Sequence, residues 1–166
     1  MTLWESVQKN MTWRGVFIAS IAAGTVFIVS NLILTPLVLD IQPPVILRYF
    51  ASLLLGSDAV TDDGAFVQVI GLVIHFVLSF VFTLLITIVI HRWGILVGII
   101  GGGLLGVAIY GINLYTFTVI FEWFFAIESN VLLLSHILFG ATAGGVYELF
   151  DHYDIPFELE VNDEKN

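Results

Sequence analysis

Polar side chains that could do chemistry are few in this sequence, and they lie inside apolar stretches. They are Asn31, His75, Tyr110, Asn113 and His136. Asparagine and histidine between membrane helices often only hydrogen-bond to a neighbouring helix, at roughly 0.6–2 kcal/mol each. Ionisable groups inside a membrane also often mark a functional site. The set therefore predicts one of three things: a structural polar layer, a cofactor or substrate site built on His75 and His136, or contacts with a partner subunit.

The most specific cofactor hypothesis for the two histidines is haem b. His75 and His136 fall in different predicted helices, so their imidazoles could ligate iron on both faces of the ring. Haem proteins often use basic groups for the propionates, and only Arg48 lies on the same predicted side of the membrane. Zinc or copper would lack ligands, because no carboxylate accompanies the pair. We predict no site for a metal ion held by side chains alone. The sequence does not identify a cofactor, and haem b is the one candidate that it offers.

The composition indicates a membrane protein. The 166 residues are 58% hydrophobic and 11% charged, with a mean hydropathy of +1.01, whereas soluble domains carry roughly 25% charged residues. A chain this short cannot hide so much apolar surface in its own core, so we expect a lipid bilayer to cover it. The net charge of -9 with five Lys+Arg argues against a nucleic-acid partner. The lack of cysteine excludes disulfides and thiolate chemistry.

The apolar periodicity predicts an all-α membrane protein that forms one domain over residues 1–166. Four transmembrane helices are expected at about 15–39, 66–90, 94–118 and 131–150, each long enough to cross a bilayer. Two short interfacial segments are expected on the outer side, a helix at about 44–56 and an aromatic stretch at 119–130. The sequence leaves open whether the 44–56 helix lies flat or re-enters the membrane. An acidic cytoplasmic tail, 151–166, follows the last helix.

Glycines recur at every fourth position in two of the predicted helices. They are Gly98, Gly102 and Gly106 in the third helix and Gly140 and Gly144 in the fourth. Small residues at this spacing let membrane helices approach closely. We therefore predict that these glycines form helix-packing faces.

The distribution of basic residues predicts the orientation. Lys9, Arg14, Arg92 and Lys165 fall on one side of the four helices, and Arg48 falls on the other. The side richer in Lys and Arg is cytoplasmic, so both termini are predicted inside a bacterial cytoplasmic membrane. Counted at about 1.5 Å per residue, the five polar side chains lie roughly 8–14 Å from the outer ends of their helices. They therefore share the outer half of the membrane.

Enzymatic function is not expected. No intramembrane carboxylate pairs with a histidine, and the sequence has neither a GxSxG nucleophile nor a P-loop. The preferred hypothesis is a non-catalytic accessory subunit of a larger membrane complex, with a respiratory or electron-transfer complex as first candidate. Its partners would be lipid and other membrane subunits. The alternatives are a haem b protein and a small channel or transporter.

Three stretches resemble a known family: VIHFVLSF around His75, YGINLYTFTVIFEWF, and LLSHILFG around His136. The chain resembles, over roughly residues 15–150, a family of small four-span bacterial integral membrane proteins of uncharacterised function. Some members carry the label "sodium:proline symporter", which describes a much larger fold than a chain of this size can contain. The resemblance implies the four-helix fold and the importance of the outer polar layer, and it implies no activity.

Overall fold

The computed structural model describes residues 11–127 and 129–153, and every regular element in that part of the chain is helical. The longer helices are α1 (Trp13–Leu39), α2 (Val45–Leu55), α3 (Ala65–Ile90), α4 (Ile95–Ile112) and α6 (Asn130–Tyr153). The shorter elements are 3₁₀ turns at Ser57–Val60 and Glu122–Ile127, a π-helix at Asn113–Phe117 and the single turn α5 (Thr118–Ile120). Lys9, Glu128 and the acidic tail beyond residue 153 lie outside the described residues.

Four helical segments are long and apolar enough to cross a membrane. They are Trp13–Leu39, Ala65–Ile90, Ile95–Ile120 and Asn130–Asp151. The prediction of an all-helical bundle with four such helices is confirmed. The third segment is not one regular α-helix, because the wider π-helical turn interrupts it at Asn113–Phe117. Large apolar side chains such as Phe17, Val77 and Leu104 cover the outside of these segments.

Local sequence explains where the helices end. Pro36 lies in the last turn of α1, and Asp40 then adopts a left-handed conformation with φ 54°. Gly56, with φ 87°, ends α2. The short turn between α3 and α4 uses φ 64° at Arg92 and φ 87° at Gly94. The turn at Arg92 and Gly94 reverses the chain between α3 and α4 within a few residues. Helices α1 and α3 are instead joined by residues 40–64, which contain α2.

Helices α4 and α6 touch through their backbones. A Cβ atom on Gly102 would lie 2.2 Å from the carbonyl oxygen of Gly140, and one on Gly106 would lie 2.1 Å from that of His136. One turn away, a Cβ on Gly98 would lie 2.7 Å from the carbonyl oxygen of Gly144. No side chain larger than hydrogen fits at these positions, which is the physical reason for the glycine spacing in both helices.

Helix α2 packs against α3 in the same manner. A Cβ on Gly71 would lie 1.9 Å from the carbonyl oxygen of Leu47. The 3₁₀ turn at Glu122–Ile127 is held to α2, because the indole Nε1–H of Trp123 donates to Ser52 Oγ at 2.8 Å. The two segments that the sequence placed between the long helices therefore pack together over one end of the bundle.

A single added methyl group tests the α4–α6 contact. We expect Gly102→Ala to lower the free energy of unfolding by about 1–3 kcal/mol, the usual cost of overpacking. Gly103→Ala is the matched control, since the nearest atoms would lie 3.8 Å from its Cβ and both changes raise helix propensity alike. Thermal unfolding in mild detergent, followed by circular dichroism, measures the difference. Equal melting temperatures for the two variants would contradict the backbone contact.

Candidate functional site

Four of the five polar residues singled out from the sequence line one interior cavity. His75 comes from α3, Tyr110 from α4, Asn113 from the π-helix and His136 from α6. Asn31 is buried but does not line the cavity. Its side-chain amide instead donates to the carbonyl oxygen of Phe27, one turn earlier in α1, at 3.0 Å. The fold thus gathers the two histidines, the tyrosine and one asparagine into one site.

The cavity is small and mostly apolar. Its volume is about 60 Å³, and its lining includes Phe27, Phe50, Ile109, Leu132 and Phe139. One water needs at least about 10–15 Å³ of such space, so a few water-sized molecules fit. Side chains from α1, α2, α3, α4 and α6 all contribute. The site therefore forms only when all five of these helices are packed together.

Hydrogen bonds determine the tautomer of His136. Its Nδ1–H donates to the carbonyl oxygen of Leu132 at 2.8 Å, which leaves a lone pair on Nε2. The amide Nδ2–H of Asn113 donates to that nitrogen at 3.2 Å. Asn113 must therefore turn its Oδ1 away from the imidazole. That oxygen is buried and has no hydrogen-bond partner among the described residues.

His75 adopts the opposite tautomer. Its Nε2–H donates across the bundle to the carbonyl oxygen of Gly24 in α1, at 2.8 Å. Nδ1 then carries the lone pair. The hydroxyl of Ser79 lies 3.5 Å from Nε2 and donates to the backbone carbonyl of His75 at 2.8 Å. Ser79 and His75 are therefore not arranged as a nucleophile and its base, because no imidazole lone pair faces the hydroxyl.

Aromatic rings enclose both imidazoles. Phe27 contacts each of them, with ring centroids 5.2 Å from His75 and 5.0 Å from His136. Phe50 lies 5.0 Å from His75, and Tyr110 lies 5.5 Å from His136. The apolar rings shield the two histidines from bulk solvent, and the exposed fraction is 3% for His75 and 7% for His136.

This geometry does not fit haem b. Both ring nitrogens of His136 and Nε2 of His75 already make hydrogen bonds within the protein. The 60 Å³ cavity is well below the ~300–1,000 Å³ of pockets that hold organic ligands. Within the described ranges, no three His, Asp or Glu side chains are grouped closely enough to hold a metal ion. What the site can accommodate is water or a solute of similar size.

Polar residues continue from the cavity along the buried face of α3. His75, Ser79, Thr83 and Thr87 recur at every fourth position, and we call this row the α3 stripe. All four are buried, and Thr83 and Thr87 expose 0% of their surface. Thr87 Oγ1 donates to the carbonyl oxygen of Leu84 at 2.9 Å. In the part of the chain that the structure describes, Thr83 Oγ1 is buried without a partner.

The α3 stripe leads to a second polar cluster at the other end of the helix. This His91 cluster comprises His91, Tyr147, Glu148 and Asp151. His91 Nδ1 lies 2.7 Å from the hydroxyl of Tyr147 and 3.7 Å from a carboxylate oxygen of Asp151. The backbone N–H of Gly94 donates to Glu148 Oε2 at 2.8 Å, which caps the first turn of α4. Glu148 Oε1 and His91 Nε2 are buried and make no hydrogen bond to any described residue.

Sequence reasoning missed this second cluster. None of its four members was singled out from the sequence, yet the His91 side chain is only 19% exposed and is hydrogen-bonded to Tyr147 in α6. A signal was present, because Glu148 continues the four-residue spacing of Gly140 and Gly144 and therefore had to face α4.

Comparison of the chain with protein-family models, with curated proteins and with solved structures finds no match. Its function therefore has to be inferred from its own residues. The resemblance to small four-span bacterial membrane proteins stays a prediction.

The two cavity histidines should show opposite tautomers. In ¹⁵N-labelled protein at neutral pH, we expect the proton on Nε2 of His75 and on Nδ1 of His136, as their carbonyl partners require. Two-bond ¹⁵N–¹H spectra distinguish the tautomers, and single His→Gln variants assign them. Asn113→Leu should shift the Nε2 signal of His136 and leave His75 unchanged. The same tautomer at both residues would contradict this arrangement.

Proposed function

We propose that this chain is a multi-pass protein of a bacterial cytoplasmic membrane with both termini on the cytoplasmic side. Four segments of sufficient length and apolarity support this, as do the large apolar side chains on their outer faces. Arg14 and Arg92 lie at one end of the bundle and Arg48 lies at the other, in keeping with the excess of positive charge on cytoplasmic loops.

Within that membrane, the function we propose is a narrow channel or transporter for small polar species. The observation that carries it is the α3 stripe, which joins the interior cavity to the His91 cluster. The distance from His75 to His91 is about 24 Å along the helix, most of a ~30 Å hydrocarbon core. Ionisable residues are costly there and often mark a substrate or ion pathway, and His75 and His91 are such residues at the two ends of this row.

Unsatisfied hydrogen-bonding atoms along this route also support the proposal. Asn113 Oδ1, Thr83 Oγ1 and Glu148 Oε1 are buried without partners in the described part of the chain. Leaving such an atom unpaired costs about 1–3 kcal/mol. A hydrogen-bonding species that enters the cavity or the stripe would remove that cost. The unpaired atoms lie in the cavity, midway along the α3 stripe and in the His91 cluster.

Labelling of engineered cysteines tests the membrane topology. The chain contains no natural cysteine, so Ser57→Cys and Trp93→Cys each introduce a single, exposed thiol. In intact cells, a membrane-impermeant maleimide should label Ser57→Cys, and it should label Trp93→Cys only after permeabilisation. The reverse pattern would invert the proposed orientation. Equal labelling of both variants in intact cells would exclude a membrane barrier between the two turns.

Flux through reconstituted protein tests the route. We expect proteoliposomes to pass at least one of water, urea, ammonium or protons several-fold faster than empty liposomes. Asn113→Leu should lower that flux, because it replaces the polar amide of the cavity with a side chain of similar shape. Asn31→Leu is the matched control, since Asn31 is buried but does not line the cavity. Rates equal to those of empty liposomes for every species would refute the proposal.

An accessory subunit of a larger membrane complex is the second candidate. A shallow apolar groove between α4 and α6 favours it, and its lining includes Ile99, Leu138 and the small residues Ala141 and Gly145. Small residues let a helix of another subunit approach closely. Respiratory or other electron-transfer subunits that co-purify from the source membrane at fixed stoichiometry would support this candidate. Elution of the chain alone would count against it.

A further inference from the structure

We propose that the species that moves along the α3 stripe is the proton. This inference rests on the proposed function, because it takes the stripe as the route across the bundle. It follows from three observations: the space available along the stripe, the arrangement of polar atoms around His75, and the titratable groups at both ends.

Space along the stripe is too narrow for an organic solute or a hydrated ion. The cavity lining reaches Ser79 and Phe82. The next turn holds Thr83, Ile86 and Thr87, and none of them exposes more than 1% of its surface. A solute would have to part the helices there. Hydroxyls four residues apart lie about 6 Å apart along a helix. One water between two such hydroxyls would complete a chain for protons with two hydrogen bonds of ~2.8 Å, which requires far less space than the passage of a solute.

His75 has the geometry of a proton relay. Its Nδ1 carries a lone pair, and its Nε2 lies 3.5 Å from Ser79 Oγ, beside its bond to Gly24. A proton that binds Nδ1 from the cavity makes an imidazolium. The Nε2 proton then passes to Ser79 Oγ, while the Ser79 hydroxyl turns its own proton away from the His75 carbonyl and gives it to a water on the side of Thr83, which restores a neutral ring. One proton enters and one leaves, and tautomer exchange then resets the imidazole.

Titratable groups lie at both ends of the stripe. At the cavity end, His136 and Tyr110 contact each other, and no Asp, Glu, Lys or Arg is among the lining residues. At the other end are the four members of the His91 cluster, in which Glu148 Oε1 and His91 Nε2 await partners in the described structure. This cluster lies at the end of the bundle that the proposed topology places on the cytoplasmic side. The uncharged cavity contains no fixed charge that would trap a proton.

Removal of one hydroxyl tests the proposal. In proteoliposomes loaded with a pH-sensitive dye, with a potassium diffusion potential set by valinomycin, wild-type protein should accelerate proton entry over empty liposomes. Thr83→Val keeps the shape of the side chain and removes only Oγ1, so we expect it to lower the proton flux by about tenfold, equivalent to ~1.4 kcal/mol on the barrier. Thr25→Val on the exposed face of α1 is the matched control and should retain the flux.

The outcomes separate the two proposals. Selective loss of proton flux in Thr83→Val, with folding confirmed by gel filtration, supports the proton route. Passage of water, urea or ammonium without protons refutes the proton inference and leaves the channel. Proton flux that is equal in Thr83→Val and wild type refutes the stripe as the pathway. If no species passes faster than through empty liposomes, the proposed function fails as well.

Discussion

The backbone contact between α4 and α6 is the constraint on which the rest of the bundle depends. Helices separated by ordinary side chains lie 8–10 Å apart, whereas the carbonyl of Gly140 occupies the space where Gly102 would carry a side chain. The register of this contact carries His136 to Asn113 at one end and Glu148 to Gly94 at the other. One row of glycines therefore sets both the contact between His136 and Asn113 in the cavity and the contact between Glu148 and Gly94 in the His91 cluster.

The buried polar groups of the interior fall into two kinds, those that are hydrogen-bonded within the chain and those that are not. Several of them are satisfied within the chain, as when His75 donates to Gly24 and Asn31 donates to Phe27. Others are held in place but left unpaired among the described residues, notably Asn113 Oδ1 and Thr83 Oγ1. Apolar residues of similar volume would avoid this cost. Stability alone therefore does not account for unpaired polar atoms in a packed, ring-lined interior.

The predicted polar layer illustrates the limits of reasoning by depth. Position along a helix places a residue at the right height, and four of the five residues do meet in the cavity. Depth does not tell where a side chain finds its hydrogen bond, and Asn31 finds it on its own helix. The two histidines do line one shared cavity. Backbone carbonyls and Asn113 already bind three of their four ring nitrogens, which depth alone does not reveal, and the haem hypothesis stays a prediction.

Sequence by itself determined the helical architecture, because apolar length, turn residues and glycine spacing are local properties that the chain displays directly. It also determined which helix faces could approach closely, since only hydrogen fits between touching backbones. Tertiary structure alone decided which polar atoms pair and which stay unpaired. It also brought together, around one helix end, His91 and Tyr147, which are 56 positions apart, and Gly94 and Glu148, which are 54 positions apart. Such pairings depend on helix register and rotation, which packing of the whole bundle sets and no single helix encodes.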